Sequence, residues 1–171
     1  LGSVGMGGIG TAVARRSRAF GMAVAYTNRR RVPLAVEQEL GARALDLDEL
    51  LATSDVISLN CPHTPETHHL LDDAAFGTMR RDAFVVNTAR GAVIAEAALV
   101  GALDTRQIAG AGLDVYENEP EVHPGLLGRD DVVVLPHLGS APREPRAAMA
   151  QLAAHNVIAV LAGAAPPTPI N

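Results

Sequence analysis

The chain has 171 residues, 48% of them hydrophobic, and a net charge of −5, which suits one substantial core, a single domain and an appendage. Its basic residues are scattered apart from Arg29-Arg30-Arg31, which argues against a nucleic-acid surface and for a partner no larger than a metabolite. The lone cysteine, Cys61, excludes an internal disulfide framework and fits a reducing cytoplasm, while no apolar run reaches the ~18 residues of a membrane span.

Every basic residue is arginine, and Ala, Gly and Pro are abundant. This usage points to a GC-rich bacterial genome and leaves no lysine for Schiff-base chemistry. In chain order, a short apolar strand over 1–4 opens the sequence, an unusual start that implies a missing N-terminal segment. A helix over 9–20 and a strand over 22–26 follow, then a helix over 33–40, a strand over 43–45 and a helix over 47–52. Strands over 56–60, 83–87, 108–113 and 132–135 alternate with helices over 73–79 and 96–105; a long helix over 144–161 and a Pro-rich tail over 164–169 close the chain. Alternating β-branched strands and Ala/Leu-rich helices predict parallel βαβ units, an α/β fold with a Rossmann-type doubly wound sheet. The expected division is a dinucleotide-binding domain over 1–141, with 142–171 returning to a largely missing substrate domain.

Gly5-Met6-Gly7-Gly8-Ile9-Gly10 lies between the first strand and the first helix, the context in which GxGxxG marks a dinucleotide site rather than a flexible turn. Gly5 permits the tight turn, Gly7 clears space for a pyrophosphate and Gly10 lets the helix approach the strand. The helix N-terminus then presents free N–H groups and a partial positive charge to phosphate. Where an NAD enzyme would carry Asp or Glu after the second strand, this chain has Thr27-Asn28-Arg29-Arg30-Arg31. Guanidinium groups attract a ribose 2′-phosphate that a carboxylate would repel. NADP is therefore expected over NAD, with Arg29 as first contact and Asn28, Arg30 and Arg31 assisting; a solvated basic loop is the alternative.

Three more polar segments stand at predicted strand ends, where open α/β sheets bind ligands: 87–91 with Thr88 and Arg90, 112–120 with Asp114 and Glu119, and 136–141 with His137 and Gly139. Together with the glycine turn and Cys61-Pro62-His63-Thr64-Pro65-Glu66-Thr67, their order and spacing resemble the D-isomer-specific 2-hydroxyacid dehydrogenase family, nearest to its glyoxylate and hydroxypyruvate reductases. The resemblance implies that Arg90 binds the substrate carboxylate and polarises the oxo group. It makes His137 the acid/base residue, also near the coenzyme, and Glu119 the carboxylate paired with it. It places Asp114 at the nicotinamide carboxamide, and Gly8, Ile9, Cys61, Pro62, Thr67, Thr88 and Gly139 at other coenzyme positions. It also implies a homodimer and a small 2-oxo acid substrate. Where many members carry arginine, this chain has Gly8, so one side-chain contact to the pyrophosphate is expected to be lost.

The chemistry fits these residue types. Hydride arriving at a carbonyl carbon leaves negative charge on oxygen, so the site needs a proton donor and a fixed cation. A carboxylate beside an imidazole favours the protonated ring, and an arginine fork holds a carboxylate bidentately. His63, His68 and His69 are expected in a solvated loop with no metal, because adjacent residues of an extended or helical backbone point apart. Cys61 reads as a packing residue. Alternative functions are a phosphoglycerate-type dehydrogenase of the same family and a non-enzymatic, coenzyme-sensing corepressor-like protein. The apolar positions Met149, Leu152, Val157 and Val160 of the last helix are expected to lack a packing partner.

Overall fold

Seven short strands build the sheet: β1 (Gly2–Val4), β2 (Val24–Thr27), β3 (Ala42–Ala44), β4 (Val56–Leu59), β5 (Phe84–Asn87), β6 (Gly110–Leu113) and β7 (Val132–Val134). All pair in parallel, in the order β3-β2-β1-β4-β5-β6-β7. Parallel neighbours require crossovers, which are supplied by α1 (Gly8–Ala19), α2 (Leu34–Leu40), α3 (Leu47–Thr53), α4 (Asp73–Thr78) and α5 (Glu96–Asp104). The order reverses between β1 and β4, where both strands feed loops to one edge and a crevice opens. This computed structural model describes residues 1–169.

Two apolar clusters hold the sheet. Leu50, Leu51, Phe76, Leu99 and Leu103 from α3, α4 and α5 pack on Val4, Ile57, Leu59, Val85 and Leu113. A smaller cluster joins Met6, Ala14, Val24, Tyr26 and Leu40. Burying a Leu- or Phe-sized side chain contributes about 1.5–3 kcal/mol, so the first cluster dominates stability. Local signals set the ends: Asp46 and Asp72 cap α3 and α4 by accepting from Glu49 and Ala75 amides, and Gly41 ends α2 at φ +55°. On one face of β5 and β6, Val85 and Leu113 are buried in the cluster with α4 and α5. On the other, Phe84 and Val133 are exposed beside a cavity of about 640 Å³ that Val56, Val86 and Ala111 help to line.

The seven strands and six helices stand where the sequence places them, with ends differing by at most a few residues. Two 3₁₀ turns, Gly91–Val93 and Pro124–Leu126, come in addition. Compact units span Leu1–Pro136 and the chain from His137 onward. The second unit is α6 (Arg143–Leu161) and a tail tied back to it, with Asn156 bonded to the Thr168 amide and hydroxyl at 3.1 and 2.8 Å. No residue of α6 is buried, and Met149, Leu152, Val157 and Val160 are all exposed. Among the described residues no helix is long and apolar enough to cross a membrane.

Candidate coenzyme and active site

The glycine turn is shaped by two close approaches. Gly5 stands at φ +94°, and a Cβ there would meet the Asn60 carbonyl carbon at 2.7 Å; one at Gly10 would meet the Gly5 oxygen at 2.2 Å. Gly7 and Gly8 instead face open space, with nothing within 4 Å of an added Cβ. Beneath the turn, the Ser3 hydroxyl donates to the Gly5 carbonyl at 2.7 Å and accepts from Asn60 Nδ2 at 3.1 Å. Gly7 caps α1 without a side-chain bond, and no acidic residue occupies its first turn. The positive helix end and its free N–H groups thus point at unfilled space, the arrangement that accepts a phosphate.

At the end of β2 the arginine run divides. Arg31 places Nε and Nη2 on the Glu37 carboxylate at 2.7 and 2.9 Å, and the buried Tyr26 hydroxyl donates to the same group. Arg31 first, then Tyr26, holds the Glu37 carboxyl below the usual range against the upward pull of burial. Arg31 thereby ties the stretch after β2 to α2, while its side chain stays 70% exposed. Arg29 and Arg30 stay exposed beside Asn28, whose amide ties the turn by donating to the Arg30 carbonyl at 2.9 Å. Glu66 lies below the usual carboxylate range, chiefly through the Thr64 hydroxyl and then its own backbone amide, with the charge of Arg29 the smallest contribution.

The crevice has a volume of about 560 Å³ and is lined by Ile9 of α1, Leu59 at the end of β4 and 60–63 after it, and Thr88 to Arg90 after β5. It thus brings Ile9, Cys61, Pro62, Thr88 and Arg90 together. Burial pushes the Cys61 thiol up, which makes it a poor nucleophile and suits a packing role. The Thr67 hydroxyl is turned inward, donating to Pro62 O at 2.7 Å and accepting the Thr64 amide at 2.8 Å. Its part is to hold the 62–67 loop in shape.

Asn87 ends β5 and builds the arginine turn: its Oδ1 accepts the Ala89 amide and its Nδ2 donates to Arg90 O, each at 3.0 Å. Its carbonyl accepts the amide of Asp114, which is buried at the end of the neighbouring β6. Glu119 Oε1 accepts the Tyr116 amide at 3.0 Å, and the Tyr116 hydroxyl donates to Leu135 O at 2.7 Å, just before His137. His137 and Gly139 belong to the second unit; His137 is exposed and adopts φ +55°, a conformation uncommon for a non-glycine residue and concentrated at functional sites.

The histidine loop departs from expectation. His69 adopts φ +50°, neither extended nor helical, so the His68 and His69 rings stack at 3.9 Å between centroids. His63 Nε2 approaches His68 Nδ1 at 3.2 Å, and His69 Nε2 bonds Glu117 Oε1 at 2.6 Å. Burial alone would raise the Glu117 carboxyl, but bonds from His69 and the Glu96 amide bring it below the usual range. Among the described residues, no group of three or more His, Cys, Asp or Glu is arranged to hold a metal ion. From sequence, Asn87, Tyr116 and Glu117 carry no role of their own and His69 only a place in a solvated loop; among them, an Asn two residues before the loop amide it caps is the one local signal.

The profile for the D-isomer specific 2-hydroxyacid dehydrogenase NAD binding domain matches residues 1–139. The chain belongs to this family. Among similar relatives of the 2-hydroxyacid dehydrogenase family, a glyoxylate reductase of Thermococcus onnurineus is 48% identical over all of this chain and 51% of its own length. The crystal structure of a glyoxylate reductase from Paecilomyes thermophila superposes with a TM-score of 0.87 at 47% identity, over 92% of this chain and 48% of that one. The NADPH-dependent glyoxylate/hydroxypyruvate reductase of Sinorhizobium meliloti, solved with NADP and malonate, gives a TM-score of 0.92 at 36% identity, over 99% and 52% of the two chains. The chain spans about half the length of the curated relatives it matches.

Proposed function

We propose that the full-length protein is a reductase that transfers hydride between NAD(P)H and a small 2-oxo acid, with glyoxylate or hydroxypyruvate as substrate and NADPH preferred. The observation that carries this reading is the crevice at the sheet's switch point, where the open end of α1, the Cys61-Pro62 backbone and the Thr88–Arg90 turn line one cavity. The empty margin at Gly7 and Gly8 fits a diphosphate, held by the first-turn amides of α1. Arg29 is assigned the 2′-phosphate, with Asn28, Arg30 and Arg31, which follow β2 beside it, assisting. When bound, the reduced coenzyme supplies the hydride.

The remaining work falls to the protein's own side chains. Arg90 holds the substrate carboxylate with its fork and stabilises negative charge growing on the oxo oxygen. By resemblance, His137 donates the proton to that oxygen, Glu119 is the carboxylate paired with it, and Asp114 orients the nicotinamide carboxamide. Asn87 fixes the Arg90 turn through its two bonds. The relatives support the substrate class by name: two are glyoxylate reductases and a third acts on glyoxylate and hydroxypyruvate with NADPH. The composition and the resemblance extend the proposal to a cytoplasmic homodimer of bacterial origin, with 142–171 belonging to the substrate domain.

The test is coenzyme oxidation by the full-length protein over glyoxylate, hydroxypyruvate, pyruvate and phosphohydroxypyruvate, with NADPH and NADH in parallel. Glyoxylate or hydroxypyruvate with NADPH is expected to give the highest kcat/KM. A strong NADH preference refutes the arginine assignment, and coenzyme binding without turnover of any acid replaces the enzyme with a coenzyme sensor.

A further inference from the structure

Three segments leave the sheet edge after β4, β5 and β6, and they are knitted to one another independently of any ligand. His69 N–H donates to Ala92 O at 2.8 Å, Leu71 N–H to Val93 O at 3.1 Å, and Ala95 N–H to Leu71 O at 3.0 Å. The end of the histidine loop is thereby zipped to the turn that follows Arg90. Gly91, next in the chain, presses on the third segment so closely that an added Cβ would lie 1.8 Å from the Tyr116 carbonyl carbon and 2.4 Å from Glu117 N. Glu96 and Glu117 then exchange bonds: the Glu117 amide donates to Glu96 Oε1 at 2.7 Å and the Glu96 amide to Glu117 Oε2 at 3.2 Å.

One carboxylate oxygen of Glu117 remains, Oε1, and His69 Nε2 donates to it at 2.6 Å. His69 reaches it from φ +50°, a backbone state that side-chain-bearing residues adopt when their surroundings demand it. The pair is half-buried, with side-chain exposures of 38% and 24%, so it is less screened than a surface ion pair. It links residues 48 apart in sequence, joining the loop that carries Cys61 and Pro62 to the loop that carries Glu119. A carboxylate so placed serves geometry, since its other oxygen accepts the backbone amide of Glu96 in the same scaffold.

We propose that His69 and Glu117 form a positioning latch that sets the Arg90 turn and the Glu119 loop at the spacing hydride transfer needs, without touching substrate or coenzyme. This rests on the roles given above to Arg90 and Glu119. Misplacing a catalytic group by about 1 Å can cost up to about a hundredfold in rate, so a latch registers in kcat before it registers in coenzyme affinity.

The experiment uses the full-length protein and its variants His69→Phe, His69→Gln and Glu117→Gln. Phenylalanine keeps ring volume but removes the donor, whereas the glutamine amide places a donor near the Nε2 position. His69→Phe and Glu117→Gln are expected to lower kcat for the preferred 2-oxo acid about tenfold, while NADPH affinity measured by fluorescence stays within about twofold. His69→Gln is expected to recover most of the loss. Independently of turnover, hydrogen exchange at the amides of 90–96 and 114–119 is expected to quicken in His69→Phe and to return in His69→Gln. Unchanged kcat in His69→Phe, no rescue by glutamine, or unaltered exchange in both segments overturns the latch. A wild-type protein inert on every 2-oxo acid, with exchange still responding to His69→Phe, overturns the proposed reaction and leaves the latch standing.

Discussion

Replacing Gly91 with alanine places a methyl group where the backbone of Tyr116 and Glu117 already lies. The added carbon would sit 1.8 Å from the Tyr116 carbonyl carbon and 1.9 Å from its oxygen, whereas ordinary contact begins near 3.4 Å. One backbone segment must therefore retreat by about 1.6 Å, the difference between 3.4 and 1.8 Å. Overpacking costs about 1–3 kcal/mol where side chains can yield; here both sides are main chain fixed by the Glu96–Glu117 bonds. We expect a loss of about 3 kcal/mol, or a melting temperature lower by about 10 °C for a domain of this size. The displaced loop carries Glu119, so kcat of the full-length protein is expected to fall at least about tenfold. Gly101→Ala, in the open interior of α5 with nothing within 4 Å, is the matched control and gains about 0.5–1 kcal/mol. Thermal melts and steady-state rates decide it: a Gly91→Ala protein that melts with its parent and turns over normally refutes the close approach and the coupling built on it.

The divided arginine run predicts a split in mutant behaviour. Arg29→Ala is expected to lower kcat/KM for NADPH about tenfold, the worth of a charge-assisted bond, and to leave NADH kinetics unchanged, while Arg31→Ala lowers the melting temperature with either coenzyme. The Glu37 carboxyl titrates below its unfolded value, so its contribution is present above the unfolded pKa and is lost as pH falls through the folded one. Melts across the acid range are expected to show a shallower acid decline for Glu37→Gln than for wild type. His137→Ala is expected to lower kcat by about 10²–10⁴-fold with coenzyme affinity retained, as read by parallel kinetics and fluorescence titration.

Much of this was legible in the chain because periodicity reports burial. The stretches 56–60 and 83–87 read as strands, and the Ala-rich stretch over 9–20 as a helix. Gly5 and Gly10 declared themselves through their spacing and their place between an apolar strand and an Ala-rich helix. What stayed hidden depends on partners brought together by the sheet. A run of three arginines shows charge, not that Arg31 turns back onto Glu37 six residues on. His69 and Glu117 meet only because β4, β5 and β6 are neighbours, and the stacking of His68 on His69 needs a left-handed residue that histidine does not announce. The exposed face at Phe84 and Val133 was equally silent, since a β-branched or aromatic residue reads the same on either side of a strand.

The central claim is that hydride passes directly between a nicotinamide and the C2 carbon of a 2-oxo acid. Full-length protein given glyoxylate and NADPH carrying deuterium at both C4 positions is predicted to release glycolate with one deuterium at C2, detected by mass spectrometry. Glycolate free of deuterium, or no glycolate while the coenzyme binds, would contradict the account.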